Sequence, residues 1–239
     1  MNDRKTIGRR TACAAMLGMG GSLLLANQSP AGEKIKAATK AAMPALKNSD
    51  FYDAAGKFNV EAAKDAYLAF CKAVGYPFGK KLRETMWVAD FALGRFLEVG
   101  LGGNFWINDK KYNYTSLEMF LLPNQMVPEH WHVDWHTESE KYDEHVPAKM
   151  ESWHVRYGSS YTYGEGPATP KIGVQIHESE KEFITVFNET VLHVGEVTGI
   201  KKPLEKHWQQ AGPQGAIITE SSTYHRGDAV RFTNPNIKF

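Results

Sequence analysis

The chain has 239 residues, 42% of them hydrophobic and 23% charged, with a formal net charge of +1 at neutral pH. That length suits one domain with a buried core and a small appendage. Nearly balanced charge without a long basic stripe argues against nucleic acid as a partner, and it gives no support to stable membrane association.

The first thirty residues differ from the rest. Arg4, Lys5, Arg9 and Arg10 precede an apolar, small-residue run from Ala12 to Ala26. The run is too short to span a bilayer, and a basic region followed by such a run reads as an export signal. The pair Arg9-Arg10 before Thr11 points to the twin-arginine type, so residues 1–30 are expected to direct the protein to the periplasm. The alternative is a disordered basic tail. Twin-arginine export carries folded proteins, which would suit a chain that takes up a metal before leaving the cytoplasm. The cysteines are Cys13 and Cys71, so removal of the signal leaves one and no intrachain disulfide.

Residues 31–84 read as a linker and a helical segment that packs on the main domain. Glu33 to Leu46 is rich in Ala and Lys, a weak helix or a linker. From Asn59 to Val74 the residues Ala62, Ala63, Ala66, Tyr67, Phe70 and Val74 recur at helical spacing, with Asn59 as N-cap and Gly75 and Pro77 as the stop. From about residue 85 to 239 short runs of aromatic and β-branched residues alternate with Gly, Pro and Asn. Strands are expected at Asn104–Ile107, Ser116–Leu122, Glu151–Tyr157, Tyr161–Tyr163, Lys171–Ile176, Phe183–Phe187, Val191–Val194 and Gly215–Ser221. Turns are expected at Asn108-Asp109, Gly158, Gly164-Glu165-Gly166 and Asn188-Glu189. The pattern predicts a mainly β chain, a sandwich or barrel, with an N-terminal helix.

Chemistry-bearing residues stand out first in "VPEHWHVDWH", Val127 to His136. In a strand His130 and His132 share a face and Trp131 takes the other. Imidazoles so spaced can meet one ion at about 2.0–2.1 Å, although solvated or hydrogen-bonded histidines have the same spacing. In the stretch from Lys149 to Tyr157, Lys149 and Glu151 share parity with Trp153, Val155 and Tyr157, while Ser152, His154 and Arg156 fall on the opposite face. A carboxylate and an ammonium are thus expected inside, where a metal or an ion pair relieves the cost of burial. His207, between a Pro-containing and a Gly-Pro turn, completes a possible mixed N/O site.

Several stretches together resemble the D-lyxose ketol-isomerases, a family of cupin-fold sugar isomerases. They are "WVADFALGRFLEVGLG" from Trp87, "LLPNQMVPEHWH" from Leu121, "KMESWHVRYGSSYTYGEG" from Lys149, "KHWQQAGPQGAIITESST" from Lys206 and the terminal "FTNPNIKF". The resemblance implies a cupin-type β-barrel (jelly roll) over 85–239 and a homodimer. It implies a divalent ion, usually Mn2+ with Zn2+, Fe2+ or Co2+ as alternatives, held by His130, His132, Glu151 and His207. It also implies Lys149 and Glu220 as catalytic groups. Such an enzyme interconverts an aldose and a ketose, D-lyxose/D-xylulose or D-mannose/D-fructose, by moving a proton between C1 and C2. The base is expected to be Glu220, which shares parity with Ile218 and Ser222, and Lys149 is expected to stabilise charge on a sugar oxygen. Surface exposure for Glu220 and an ion pair with Glu151 for Lys149 are the plain alternatives.

One departure is the long segment "VDWHTESEKYDEHVPA" between His132 and Lys149, read as a solvated loop, a lid, or a source of an alternative ligand in His136. A helical His132/His136 pair and a helical Glu151/His154 pair are also formally possible. Two other functions fit the ligand set: an iron-dependent cupin oxygenase and a non-catalytic periplasmic sugar-binding cupin.

Overall fold

The computed structural model describes residues 45–139 and 142–239. The expected export signal at 1–30, and most of the Ala- and Lys-rich stretch after it, lie outside the described residues. After a 3-10 turn at Asn48–Phe51 come α1 (Val60–Val74), the single turn α2 (Leu82–Thr85) and strands β1 (Trp87–Ala89), β2 (Leu101–Asp109), β3 (Tyr114–Leu121), β4 (Met126–His132), β5 (Trp135–Ser139), β6 (Tyr142–Val146), β7 (Glu151–Gly164), β8 (Asn188–His193), β9 (Val197–Gly199), β10 (His207–Ser222) and β11 (Val230–Phe232). No helix among the described residues is long and apolar enough to cross a membrane.

Helix α1 follows the sequence closely. The Asn59 side chain accepts a hydrogen bond from the Ala62 N–H at 3.1 Å, and Gly75 closes the helix in the left-handed region, φ 72°. Its buried stripe of Ala63, Ala66, Tyr67, Phe70 and Cys71 packs against Phe120 and Ile217 on the outer face of the sheet. The Tyr67 hydroxyl reaches the buried Gln125 amide at 2.7 Å, and the missing side chain at Gly102 makes room for the Tyr67 ring.

The barrel turns on β10. Along one edge its 16 residues pair with β4 over His207–Gln210 and with β3 over Ala216–Ser222; along the other they pair with β7 over Trp208–Ala211 and again over Ala216–Ser222. One strand can serve two neighbours on the same edge because it bends between Ala211 and Ala216. β7 bends beside it at Gly158, which the sequence reads as a turn but which lies inside the strand at φ 71°. The remaining path runs β1-β2-β3 on one side and β4-β11 on the other, with β8 and β9 attached to β7. The inward residues Leu117, Met119, Val127, Trp153, Val155 and Ile218 form the barrel core.

Several other expectations change. Tyr157 does not share the inner face with Val155, because the register slips at Arg156 and turns Tyr157 outward onto the edge of Phe70, 5.8 Å between ring centres. Lys171–Ile176 and Phe183–Phe187 are not strands. Most of their apolar side chains pack on Tyr163, Trp208 and Met126, but several backbone N–H groups are taken outside any ladder: Gly173 N–H by the Glu189 carboxylate, Thr185 and Val186 N–H by the Glu129 carboxylate, and Phe183 and Ile184 N–H by the Glu180 carbonyl. Asn188-Glu189 opens β8 instead of turning. The segment after His132 forms the β5–β6 hairpin, a separate two-stranded sheet in which His136 pairs with His145, which removes both the plain-loop and the helical readings.

Gly158 supplies a direct test of the bend. An added Cβ would sit 1.9 Å from the Gly215 carbonyl oxygen, in a backbone region costly for L-residues. Gly158→Ala is expected to destabilise the fold by about 2–4 kcal/mol in urea unfolding, with helix content kept.

Candidate metal centre

The two histidines of β4 reach the barrel interior through an irregularity. His207 on β10 pairs with His130, yet Gln209 pairs with Val127, so β4 carries one extra residue around Pro128-Glu129. Proline has no N–H to give to the ladder and fits such a bulge. The bulge lets Val127 and His130 both face inward and sends Glu129 to the other side. There the Glu129 carboxylate accepts hydrogen bonds from Thr185 N–H and Oγ1 at 2.6 Å each, Val186 N–H at 3.0 Å and Thr233 Oγ1 at 2.5 Å. This buried anchor holds the bulge from behind.

Inside, His130, His132, Glu151 and His207 each offer a ligand atom, and these atoms all lie within 4.8 Å of one another. Glu151 is the first residue of β7 and His207 the first of β10, so three distant stretches of chain meet. His130 Nδ1 lies 2.8 Å from the Pro128 carbonyl and His207 Nδ1 2.9 Å from that of Glu205. A carbonyl only accepts, so each Nδ1 carries the proton and each Nε2 presents its lone pair to the centre. His132 Nε2, His207 Nε2 and Glu151 Oε1 are buried without a hydrogen bond of acceptable geometry among the described residues, although Glu151 Oε1 approaches them at 3.3 and 2.5 Å. Converging buried lone pairs without donors fit a divalent cation, and the three-nitrogen, one-oxygen set suits manganese, iron, cobalt or zinc.

Lys149 lies on the same inner surface, its Nζ 2.5 Å from Glu151 Oε2 and 2.5 Å from Glu220 Oε1. Glu220 stands across from Trp153 and Leu117 on β10 and accepts from the Ser222 hydroxyl at 3.1 Å. It is buried, not a surface residue. Burial is the largest influence on each ionisable group here. It holds His130 well below its ordinary value and His132 at about 4, so both are neutral ligands at physiological pH. For His207 burial is outweighed by the Glu151 carboxylate, which raises the imidazole. For Glu151 it is outweighed by Lys149 and the imidazoles, which keep the carboxylate ionised. For Glu220 burial wins, helped by the Glu151 charge and opposed by Lys149, so the carboxyl is raised. Lys149, between two carboxylates, stays charged despite burial.

These groups line a cavity whose apolar wall includes Leu117, Met119, Val127, Trp153 and Phe232. His136 on the hairpin is outside the ligand group, and Glu151 and His154 take opposite faces of β7. Sequence reading did not single out Gln209 or His225, which also line the cavity and carry buried polar atoms without partners among the described residues, nor the indole N–H of Trp87, which does likewise. Only the Gln209 spacing, two residues beyond His207, carried a signal. His132→Ala is expected to leave the purified protein with less than about a tenth of wild-type metal by elemental analysis, since deleting one of four ligands removes most of the affinity.

No protein-family model matches the chain. The D-lyxose ketol-isomerase of Cohnella laeviribosi is 32% identical over 176 residues, 74% of this chain and 91% of that protein. The D-lyxose/D-mannose isomerase of Thermosediminibacter oceani is 34% identical over 156 residues, 65% of this chain and 80% of that protein. Among solved structures, the L-ribose isomerase of Cellulomonas parahominis superposes with a TM-score of 0.56 at 13% identity, covering 79% of this chain and 95% of that one, a likeness of fold. The barrel is thus the cupin type expected from the sequence. With two such relatives matched over most of their length, the chain belongs to the D-lyxose ketol-isomerase family.

Proposed function

We propose that the protein is a metal-dependent aldose–ketose isomerase acting on a free pentose or hexose, D-lyxose/D-xylulose or D-mannose/D-fructose. The observation that carries it is a buried carboxylate, Glu220, held by Lys149 in the same cavity as the four converging ligand atoms. Relatives with that activity support it. They favour isomerase chemistry over the oxygenase and binding-only readings.

The reaction needs a proton taken from C2 of the aldose and returned to C1, while the O2 proton ends on O1. Glu220 takes and returns the carbon-bound proton. Burial raises its pKa towards the range where a base is effective, and an apolar wall keeps bulk water from exchanging the proton. Lys149 fixes the Glu220 carboxylate and offers its ammonium to the sugar oxygen on which negative charge develops. His130, His132, Glu151 and His207 would hold the ion, most suitably Mn2+. When bound, it supplies Lewis acidity to neighbouring sugar oxygens.

Glu220→Gln keeps the shape of the base and removes its basicity. Turnover of D-lyxose or D-mannose, followed by NMR, is expected to fall about 10²–10⁴-fold with metal content unchanged; a variant at full rate would exclude Glu220 as the base. The basic and apolar first thirty residues support export to the periplasm. Replacing Arg9 and Arg10 by Lys is expected to retain the full-length chain in the cytoplasm, and unaltered fractionation would remove that reading.

A further inference from the structure

We propose that Trp87 and His225 form a subsite that reads the sugar hydroxyls remote from C1 and C2, and so determine which sugar the protein prefers. The proposal rests on the isomerase reading for the placing of C1 and C2.

Both residues line the cavity, and both also line a more open surface hollow beside it, so they form part of the wall between the reacting groups and that hollow. The ring of Phe105 links them, 6.0 Å from Trp87 and 5.2 Å from His225 between ring centres. Trp87 Nε1 and His225 Nδ1 are each buried without a hydrogen-bond partner among the described residues. An orphaned buried polar atom is costly, and such atoms are retained where a ligand satisfies them. An indole N–H can only donate, an imidazole nitrogen donates or accepts, and a sugar hydroxyl does both, so one class of group suits both positions.

Neither ring is placed loosely. The Asn108 side chain clamps the His225 backbone in both directions, accepting from its N–H at 3.0 Å and donating to its carbonyl at 3.1 Å, and Thr115 Oγ1 steadies Asn108 at 2.7 Å. The Trp87 ring fits because position 103 is glycine; a Cβ there would lie 2.2 Å from the indole. The His225 and His132 rings stand edge to face, 6.2 Å between centres, which sets the subsite directly beside the ligand group.

The test compares wild type with His225→Phe and Trp87→Phe, which keep an aromatic ring and remove the nitrogen. Binding of D-lyxose, 4-deoxy-D-lyxose and 5-deoxy-D-lyxose to the metal-loaded proteins is measured by calorimetry, and turnover of D-lyxose by NMR. Wild type is expected to bind D-lyxose at least about tenfold more tightly than one of the deoxy sugars, because a site built around a hydroxyl rejects its absence. In the variants that ratio should fall to within about twofold of unity, with metal content unchanged. A wild type that does not discriminate, or a ratio that survives both substitutions, overturns the subsite. Discrimination lost as expected in a protein that turns over no sugar would sink the isomerase reading and leave the subsite standing. If a Phe variant does not fold, Asn108→Ala replaces it. That change releases the His225 backbone and should blunt the same ratio; an unaltered ratio counts against the proposal.

Discussion

The burial of Glu151 constrains everything around it. Its side chain is 1% exposed inside an apolar barrel, where an uncompensated carboxylate would be prohibitive. Lys149 compensates one oxygen, and the other is turned to the imidazoles of His132 and His207. Lys149 in turn ties in Glu220, so one ammonium links the carboxylate of the ligand group to the carboxylate proposed as base. The charges are spread so that Glu151 remains an anion while Glu220 is raised towards its neutral form. Two acids in one cavity are thereby suited to two tasks.

The backbone delivers these groups by breaking its own regularity. The extra residue at Pro128-Glu129 brings His130 to the inner face beside Val127, and four hydrogen bonds from the 185–186 and 233 segments to the Glu129 carboxylate keep it there. The bend in β10 allows His207 to stand next to His130 while Glu220, farther along the same strand, stands next to Trp153. Strand-long regularity would separate these groups or turn some outward. The first of these departures lies next to the site, the usual place for bulges in barrels.

The parity of Lys149, Glu151, Trp153 and Val155 was legible because no irregularity interrupts that stretch. It failed at Tyr157, one residue past the slip at Arg156. Strands at 171–176 and 183–187 were misread because their apolar and β-branched composition serves packing on Tyr163 and Trp208, while Glu129 and Glu189 take the N–H groups a neighbouring strand would have used. The 133–148 segment reads as a loop because its sequence is acidic and polar, and β-composition signals burial more than backbone preference. His225 carried no local signal at all. Its place comes from a clamp by Asn108, more than a hundred positions away in sequence.

By itself the sequence determined what short-range physics can determine. It marked the limits of α1 through its cap and terminal glycine, the β character of the rest, the inward carboxylate and ammonium of 149–151, and motifs specific enough to place the chain in a family. Tertiary structure alone decided which of these groups meet, because bulges and bends reset the two-residue period and pairing partners come from distant chain. It also decided the protonation preferences of the two glutamates, since desolvation and the position of one ammonium exist only once the barrel has closed.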